Sequence, residues 1–122
     1  MSEMNPYDVQ VRDVYLYTFR NNKLVMHYGE LITTNYYKYG RFKKKKPSGE
    51  YIPGKNWQTS EREGEWYNMT VWFSEENLEK AKEIFIEYES DLIQRYQTYI
   101  KKCREKIQII RGCDSELIKA EE

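Results

Sequence analysis

The sequence lacks an excess of either charge: its 122 residues include 20 Lys and Arg and 20 Asp and Glu. A long nucleic acid or an anionic membrane is therefore not favoured as a partner, because such partners select a basic surface. There is also no apolar run long enough for a signal peptide or a membrane-spanning helix, so we expect a cytoplasmic protein. The two cysteines, Cys103 and Cys113, lack metal-ligand spacing and favour free thiols, with a disulfide as the second interpretation.

Catalytic motifs are equally scarce. The sequence contains no nucleophile elbow, zinc-protease motif, CxxC pair or glycine-rich phosphate loop. The single histidine, His27, falls in a predicted strand, where a structural role is more common than a catalytic one. Acidic pairs fall on a predicted helix, where neighbouring side chains point about 100° apart and do not converge on one substrate. The sequence thus predicts a protein that is not an enzyme and that holds neither a metal nor a cofactor.

Aromatic residues are what the sequence has in abundance, at 16% of the chain, with twelve Tyr and three Trp. Disordered chains are poor in such residues, so the composition favours a folded protein. Its length suits one domain, residues 1–122. Within it we predict a β-rich half at 9–73 containing a loop at 43–64, a helix at 74–111 and a short tail at 112–122.

Alternation of polar and apolar residues marks the strands. The run VQVRDVYLYTF at 9–19 has period two, and RNNK after it provides asparagines that tolerate a tight hairpin turn. The chain to Phe42 is predicted to be extended, with Gly29 at a bend or bulge between two strands. Residues 43–64 are rich in Pro and Gly and are predicted to be loop, and EWYNMTVWF is predicted to be the last strand. Together these patterns predict a small antiparallel sheet of about four strands.

A long C-terminal helix follows. Ser74 is a suitable cap, apolar residues recur with a period near 3.6 from Leu78 to Ile110, and Gly112 is a suitable end. A straight helix of this length spans roughly 55 Å, more than one small sheet can cover. Either the helix breaks near Ser90 and Asp91, or its distal half packs on another subunit. The continuous stripe favours the second, so we predict an α+β fold that forms a homo-oligomer.

Aromatic rings beside hydrogen-bond donors indicate a ligand site. Trp57 lies in the predicted loop among polar side chains, and Arg41 ends a strand among aromatic residues, where a guanidinium can bind phosphate and stack on a ring. The candidate ligand-binding residues are Arg41, Asn56, Trp57, Thr59, Arg62, Trp66, Trp72, Tyr39 and Lys43. Two other interpretations stay open. Trp66 and Trp72 share parity on one strand and suit a core beneath the helix, and Lys43–Lys46 suit a solvated turn that protects a sheet edge.

The layout resembles a known family. VYLYTF in the β-rich half, YIPGKNW in the predicted loop, VWFS at the strand end and ENLEKAKEIFIEYESDLI at the helix start are similar to the first type of phage Thoeris anti-defence sponge proteins. The resemblance covers roughly residues 9 to 111. It implies a non-enzymatic protein of the infected bacterial cytoplasm that sequesters cyclic ADP-ribose isomers made by TIR proteins, and in some members cyclic oligonucleotides, without degrading them. It also implies dimers or hexamers.

Three other functions remain as alternatives from the sequence, of which a nucleotide-hydrolysing enzyme is the least favoured. Tyr36, Tyr37, Tyr39 and Phe42 could stack the bases of a single-stranded nucleic acid while Lys43–Lys46 contact its phosphates. The balanced charge makes this partner less favoured than a small cyclic nucleotide. The chain could also inhibit a host factor by masking its surface.

Overall fold

The computed structural model describes residues 8–34 and 38–115. Five strands precede one helix: β1 (Val9–Arg20), β2 (Lys23–Thr34), β3 (Tyr39–Lys45), β4 (Tyr51–Ser60), β5 (Thr70–Phe73) and α1 (Leu78–Arg111). The strands form one antiparallel sheet in the order β4-β3-β2-β1-β5. The predicted α+β fold is confirmed, with five strands in place of about four. The chain divides into two compact units, Met1–Tyr88 and Glu89–Glu122.

The β1–β2 hairpin forms as the sequence predicts. Asn21 and Asn22 both have positive φ, 52° and 60°, which a two-residue hairpin turn requires. The prediction of a bend at Gly29 is wrong, because β2 runs through it without interruption. A Cβ at this position would lie 2.2 Å from the carbonyl oxygen of Lys43 and 2.6 Å from Cζ of Phe42. Glycine is therefore needed for the close approach of β3 and its phenyl ring.

The predicted loop at 43–64 is wrong in its larger part. β3 continues to Lys45, and residues 51–60 form β4 at the edge of the sheet. Pro53 is compatible with this position because an edge strand leaves one side of its backbone unpaired. The turn between β3 and β4 is closed by the N–H of Gly49, which donates to the carbonyl of Lys46 at 2.8 Å.

Each face of the sheet carries an apolar cluster. On the first face, which we call the helix face, Tyr17, Val71 and Phe73 pack against Ala81 and Phe85 of α1. On the opposite face, the buried side chains are Val14, Leu16, Leu31, Phe42 and Trp72, with Trp57 packed beside them. Alternate residues of β1 thus enter two different clusters, so the strand is apolar on both sides.

The last strand is shorter than predicted, and this separates two tryptophans. Asn68 and Met69 have positive φ, 47° and 61°, and Tyr67 and Thr70 exchange two backbone hydrogen bonds of 2.9 Å across them. This tight turn reverses the chain between Trp66 and Trp72. Trp66 packs in the helix-face cluster and Trp72 in the opposite one. The prediction that they share one side is therefore wrong.

The two edge strands approach each other over the face that carries Trp72. The indole N–H of Trp72 on β5 donates to the carbonyl of Ser60 on β4 at 2.7 Å. The hydroxyl of Thr70 donates to that of Thr59 at 2.8 Å. The sheet therefore curls toward this face, which we call the concave face.

The N-cap of helix α1 lies three residues later than the predicted cap. The side-chain oxygen of Asn77 accepts the backbone N–H of Lys80 at 3.2 Å, and the hydroxyl of Tyr17 accepts the N–H of Asn77. Asn77, rather than Ser74, is therefore the N-cap. The N–H of Ser74 is instead bound by the carboxylate of Glu63. No break occurs at residues 90 and 91, and the helix ends before Gly112 as predicted.

The second unit consists of the distal part of α1 and the residues after it. Most of its large apolar side chains are exposed, including Ile93, Tyr96, Ile100 and Ile107. Cys103 and Cys113 are free thiols, as the favoured interpretation predicts. Across residues 8–34 and 38–115, no helix has the length and apolar character needed to cross a membrane.

Candidate functional site

The helix face of β3 and β4 carries a row of polar side chains. Pairing of these strands places Arg41 opposite Gln58 and Lys43 opposite Asn56. Cross-strand partners point to the same side of a sheet, so the four side chains form one patch. Arg41, Lys43, Asn56 and Gln58 are all exposed. We call these four residues the hairpin patch.

Two shallow cavities meet at Arg41. One, of about 230 Å³, is lined by Arg41, Lys43, Asn56, Trp57 and Gln58. The other, of about 180 Å³, is lined by Ile32, Thr34, Tyr39 and Arg41. Pockets for drug-sized ligands usually measure about 300–1,000 Å³, so each cavity alone suits only a fragment of that size. A larger ligand has to span both and would pass Arg41.

Aromatic rings stand at both ends of the hairpin patch. The ring of Tyr39 stacks on that of Tyr67, with centroids 6.4 Å apart and planes inclined by 16°. The ammonium of Lys43 lies 5.6 Å from the ring centroid of Tyr51. Apolar ring faces therefore border a cationic and amide-rich surface.

Beyond Lys43, an ion network closes the end of the patch. The Glu30 carboxylate accepts the Tyr51 hydroxyl and pairs with Lys45 at 3.0 Å, and Lys45 also contacts Asp13 at 3.2 Å. The Tyr51 hydrogen bond, followed by the Lys45 contact, lowers the pKa of Glu30, although burial opposes this effect. The carboxylate in turn raises the pKa of Tyr51. Lys45 is thus a structural ion-pair partner rather than part of a freely solvated run.

Two of the predicted ligand residues lie in the packed interior, and a third is partly buried against α1. Thr59 and Trp72 are fully buried, and each makes a hydrogen bond within the sheet. Trp66 stacks on Tyr88 of α1, with centroids 3.8 Å apart and planes inclined by 11°. These residues support the site from within, because their rings and hydroxyl are occupied by protein.

Trp57 and Arg62 differ from their predicted setting. Trp57 is half-buried in β4, with its ring 4.4 Å from that of His27 and 5.9 Å from that of Phe42. It also contributes to the larger cavity. Arg62 is exposed in the bend after β4, where its backbone N–H donates to the Ser60 hydroxyl. The structure therefore brings Tyr39, Arg41, Lys43 and Asn56 together and leaves Arg62 outside both cavities. Trp57 lines the larger cavity, but its ring packs on the concave face against His27 and Phe42.

His27 is buried on the concave face. Its Nε2 lies 3.0 Å from the Thr18 hydroxyl, and its Nδ1 is buried with no hydrogen-bond partner. Burial lowers the pKa of His27 to about 4, and the charges of Lys44, Lys55 and Arg20 act in the same direction. The ring is therefore neutral at pH 7.

The rings proposed for base stacking are only partly available. Phe42 is fully buried in the core, so it cannot stack on a nucleic-acid base without leaving it. Tyr36 and Tyr37 lie outside the described residues. Within the described part of the chain, no three His, Cys, Asp or Glu side chains are grouped to hold a metal ion.

Gln58 and Tyr51 are not among the candidate ligand residues predicted from the sequence, although Gln58 is one of the donors near Trp57. Their role depends on being opposite Arg41 and Lys45, which follows only once β4 is paired with β3. The polar residues Asn56 and Gln58 on either side of Trp57 were the available signal of a strand, but Pro53 and Gly54 masked it.

Comparisons with protein families, with curated proteins and with solved structures find no match to this chain. They identify no family, and the resemblance to the Thoeris anti-defence sponge proteins stays a prediction. The candidate site therefore depends on its own geometry.

Proposed function

We propose that this protein binds a small anionic nucleotide at the hairpin patch and holds it without changing it chemically. The ligand class is the cyclic ADP-ribose isomers made by TIR proteins, and sequestration would inhibit Thoeris defence in the cytoplasm of an infected bacterium. The observation that carries the proposal is the position of Arg41, which is common to both cavities and is flanked by Lys43 and Asn56.

The chemistry of the patch suits such a ligand. Arg41 has no ion-pair partner among residues 8–34 and 38–115, so its guanidinium can bind a pyrophosphate through two parallel hydrogen bonds. Lys43 adds positive potential, and the amides of Asn56 and Gln58 can bind ribose hydroxyls. Tyr39 offers a ring face to a base, to the extent that its stack with Tyr67 allows.

Retention without turnover is supported by the surroundings of the patch. The neutral imidazole of His27 belongs to the opposite face of the sheet. The nearest ion network holds the Glu30 carboxylate between Tyr51 and Lys45, which lowers its basicity. Neither group is placed to remove a proton from a ligand bound at Arg41.

Calorimetry with a cyclic ADP-ribose isomer tests the proposal. We expect Arg41→Ala to weaken binding at least about tenfold, because a charge-assisted hydrogen bond contributes about 1.5–3 kcal/mol. Arg62→Ala is the matched control and should bind as the unchanged protein does, since Arg62 lies outside both cavities. Ligand released by heat should have its original mass. Absence of binding heat, a chemically altered ligand, or equal losses in the two variants would contradict the proposal.

We further propose that the distal part of α1 pairs with a second copy of this chain. Isoleucines recur at intervals of seven, at 86, 93, 100 and 107, and the last three alternate with Tyr96, Cys103 and Ile110. This is the a and d pattern of a coiled coil. The isoleucine and tyrosine side chains of this stripe are exposed in one chain and Cys103 is half-buried, so burial of the stripe against a copy would remove apolar surface from water.

Charge favours an antiparallel pair. Glu89 and Asp91 lie at the start of this segment, whereas Lys101, Lys102 and Arg104 lie toward its end. A parallel pair would set every charged side chain beside its own copy, whereas the antiparallel pair avoids like-charge contacts for most of them. An antiparallel alignment also pairs positions 93 with 110, 96 with 107 and 100 with 103 across two copies.

A further inference from the structure

One end of the concave face gathers three cations around His27. Arg20 lies two residues after Thr18 on β1. Lys44 on β3 pairs with Gly29, which lies two residues after His27 on β2. Lys55 lies two residues before Trp57 on β4. Alternation places the side chains of Arg20 and Lys44 on the concave face. Lys55 lies in the irregular stretch of β4 between the pairs Lys43–Asn56 and Lys45–Tyr51, and its charge acts on His27 together with those of Lys44 and Arg20. None of the three cations pairs with a carboxylate in the described part of the chain.

The histidine at the base of this cluster is incompletely satisfied. Thr18 binds Nε2, the Trp57 ring covers the imidazole at 4.4 Å, and Nδ1 is buried without a partner. A buried polar atom without a hydrogen bond costs about 1–3 kcal/mol. A buried nitrogen without a hydrogen-bond partner, beside cations without ion-pair partners, indicates a site for a negatively charged hydrogen-bond acceptor.

We propose that Arg20, His27, Lys44 and Lys55 form a binding site for a phosphate dianion, either inorganic phosphate or the terminal phosphate of a monoester. Thr18 donates its hydroxyl hydrogen to Nε2, which leaves the imidazole proton on Nδ1 to donate to a phosphate oxygen. The two lysines and Arg20 neutralise the charge. A phosphodiester carries only one negative charge, so it gains less from this cluster.

This site is separate from the hairpin patch. Its side chains project from the concave face, whereas Arg41 and Lys43 project from the helix face. Loss of nucleotide binding at Arg41 would therefore leave the phosphate site intact, and the reverse is also expected.

The test uses the full chain with ¹⁵N-labelled histidine at pH 7. The ring-nitrogen spectrum should show the proton on Nδ1, and inorganic phosphate should shift the Nδ1 signal in a saturable way. Sodium chloride of equal ionic strength should leave it unchanged, and dimethyl phosphate should bind more weakly. A titration with adenosine monophosphate distinguishes the two ligands. If it binds more tightly than inorganic phosphate, the ligand is a phosphate monoester, and if it binds more weakly, the ligand is free phosphate.

The double variant Lys44→Gln, Lys55→Gln should weaken phosphate binding at least about tenfold. Its control is Lys80→Gln, Lys82→Gln, which removes the same charge from exposed positions of α1 outside the proposed pairing segment. Both should keep the circular dichroism spectrum of the unchanged protein. A proton on Nε2 alone, an equal response to chloride, no saturation, or equal weakening in the two double variants would overturn the proposal.

Discussion

Gly29 is the residue at which the sheet has least room for a side chain. Gly29→Ala would place a methyl group inside contact distance of the Lys43 carbonyl and the Phe42 ring. We expect it to lower the free energy of unfolding by more than about 2 kcal/mol, as overpacked cores do. Gly49→Ala is the comparison, because open space surrounds Gly49 and its φ of 93° costs only about 1–2 kcal/mol. Urea unfolding monitored by circular dichroism measures both, and an equal loss would contradict the role given to Gly29.

His27 should make the protein sensitive to mild acid. Its pKa is about 4 in the folded protein and near 6.5 when unfolded, so the unfolded chain binds the proton first as the pH falls. Stability contributed by the neutral ring is present above pH 6.5 and is lost between pH 6.5 and 4. Between pH 7.5 and 4.5 we expect a fall of about 2–3 kcal/mol in the free energy of unfolding.

The His27→Gln variant should lack this part of the pH dependence and keep the part due to carboxylates. Glu30 has a lowered pKa, so its contribution is lost only as the pH falls below its usual range near 4.5. Urea unfolding at pH 7.5, 5.5 and 4.5 separates the two groups. Parallel curves for the variant and the unchanged protein would refute the assignment to His27.

At the scale of elements, α1 should determine the oligomeric state. Ile100→Asp places a charge in the proposed seam and should convert an oligomer to a monomer at micromolar concentration, because burial of that charge is costly. Thr98→Asp adds the same charge outside the a and d positions and should not. Sedimentation equilibrium measures the mass, and an oligomer that survives Ile100→Asp sinks the pairing.

Oxidation reports the direction of the two helices. A parallel pair would bring the two copies of Cys103 together at one d position, whereas the antiparallel alignment sets position 103 against position 100. Disulfides require Cα atoms within about 7 Å. In a Cys113→Ser background we therefore expect slow formation of the disulfide-linked dimer, and rapid cross-linking would indicate the parallel pair.

The strands and the helix differ in how accurately their bounds could be predicted from the sequence. β1 and α1 carry strong periodic patterns, and both form close to their predicted bounds. β4 does not carry one, because an edge strand has a solvated side and tolerates Pro53 and Gly54. The turn at Asn68 and Met69 places a methionine at positive φ, where residues other than glycine are uncommon, so its sequence gave no warning.

At the scale of the whole molecule, the balance of charge limits how strongly salt weakens ligand binding. A ligand with one pyrophosphate releases few counterions, so its Kd should rise less than about tenfold between 50 and 200 mM salt. A long strand with 6–10 phosphate contacts would lose about 10³–10⁵ in affinity over that range. Calorimetry at the two salt concentrations measures this, and a steep loss would favour the nucleic-acid alternative.

The sequence predicted which kinds of side chain form the candidate site, but not which residues they are. Arg41, Lys43 and Asn56 were found as donors near aromatic rings, and they do lie together. Arg62 and Trp72 were close in sequence to the same features but lie elsewhere, in a bend and in the core. Strand pairing and the tight turn decide these positions, and both depend on contacts that a local pattern does not encode.

The turn at Asn68 and Met69 also determines which part of the protein each tryptophan reports on by its fluorescence. Because it sends Trp66 and Trp72 to opposite faces, the three indoles occupy different surroundings: one stacked on the helix, one sealed in the core and Trp57 beside an ionisable ring. Each of the three double Trp→Phe variants would therefore keep a single fluorescent tryptophan, in one of these three surroundings. Detachment of α1 and opening of the concave face could then be timed separately in one unfolding experiment.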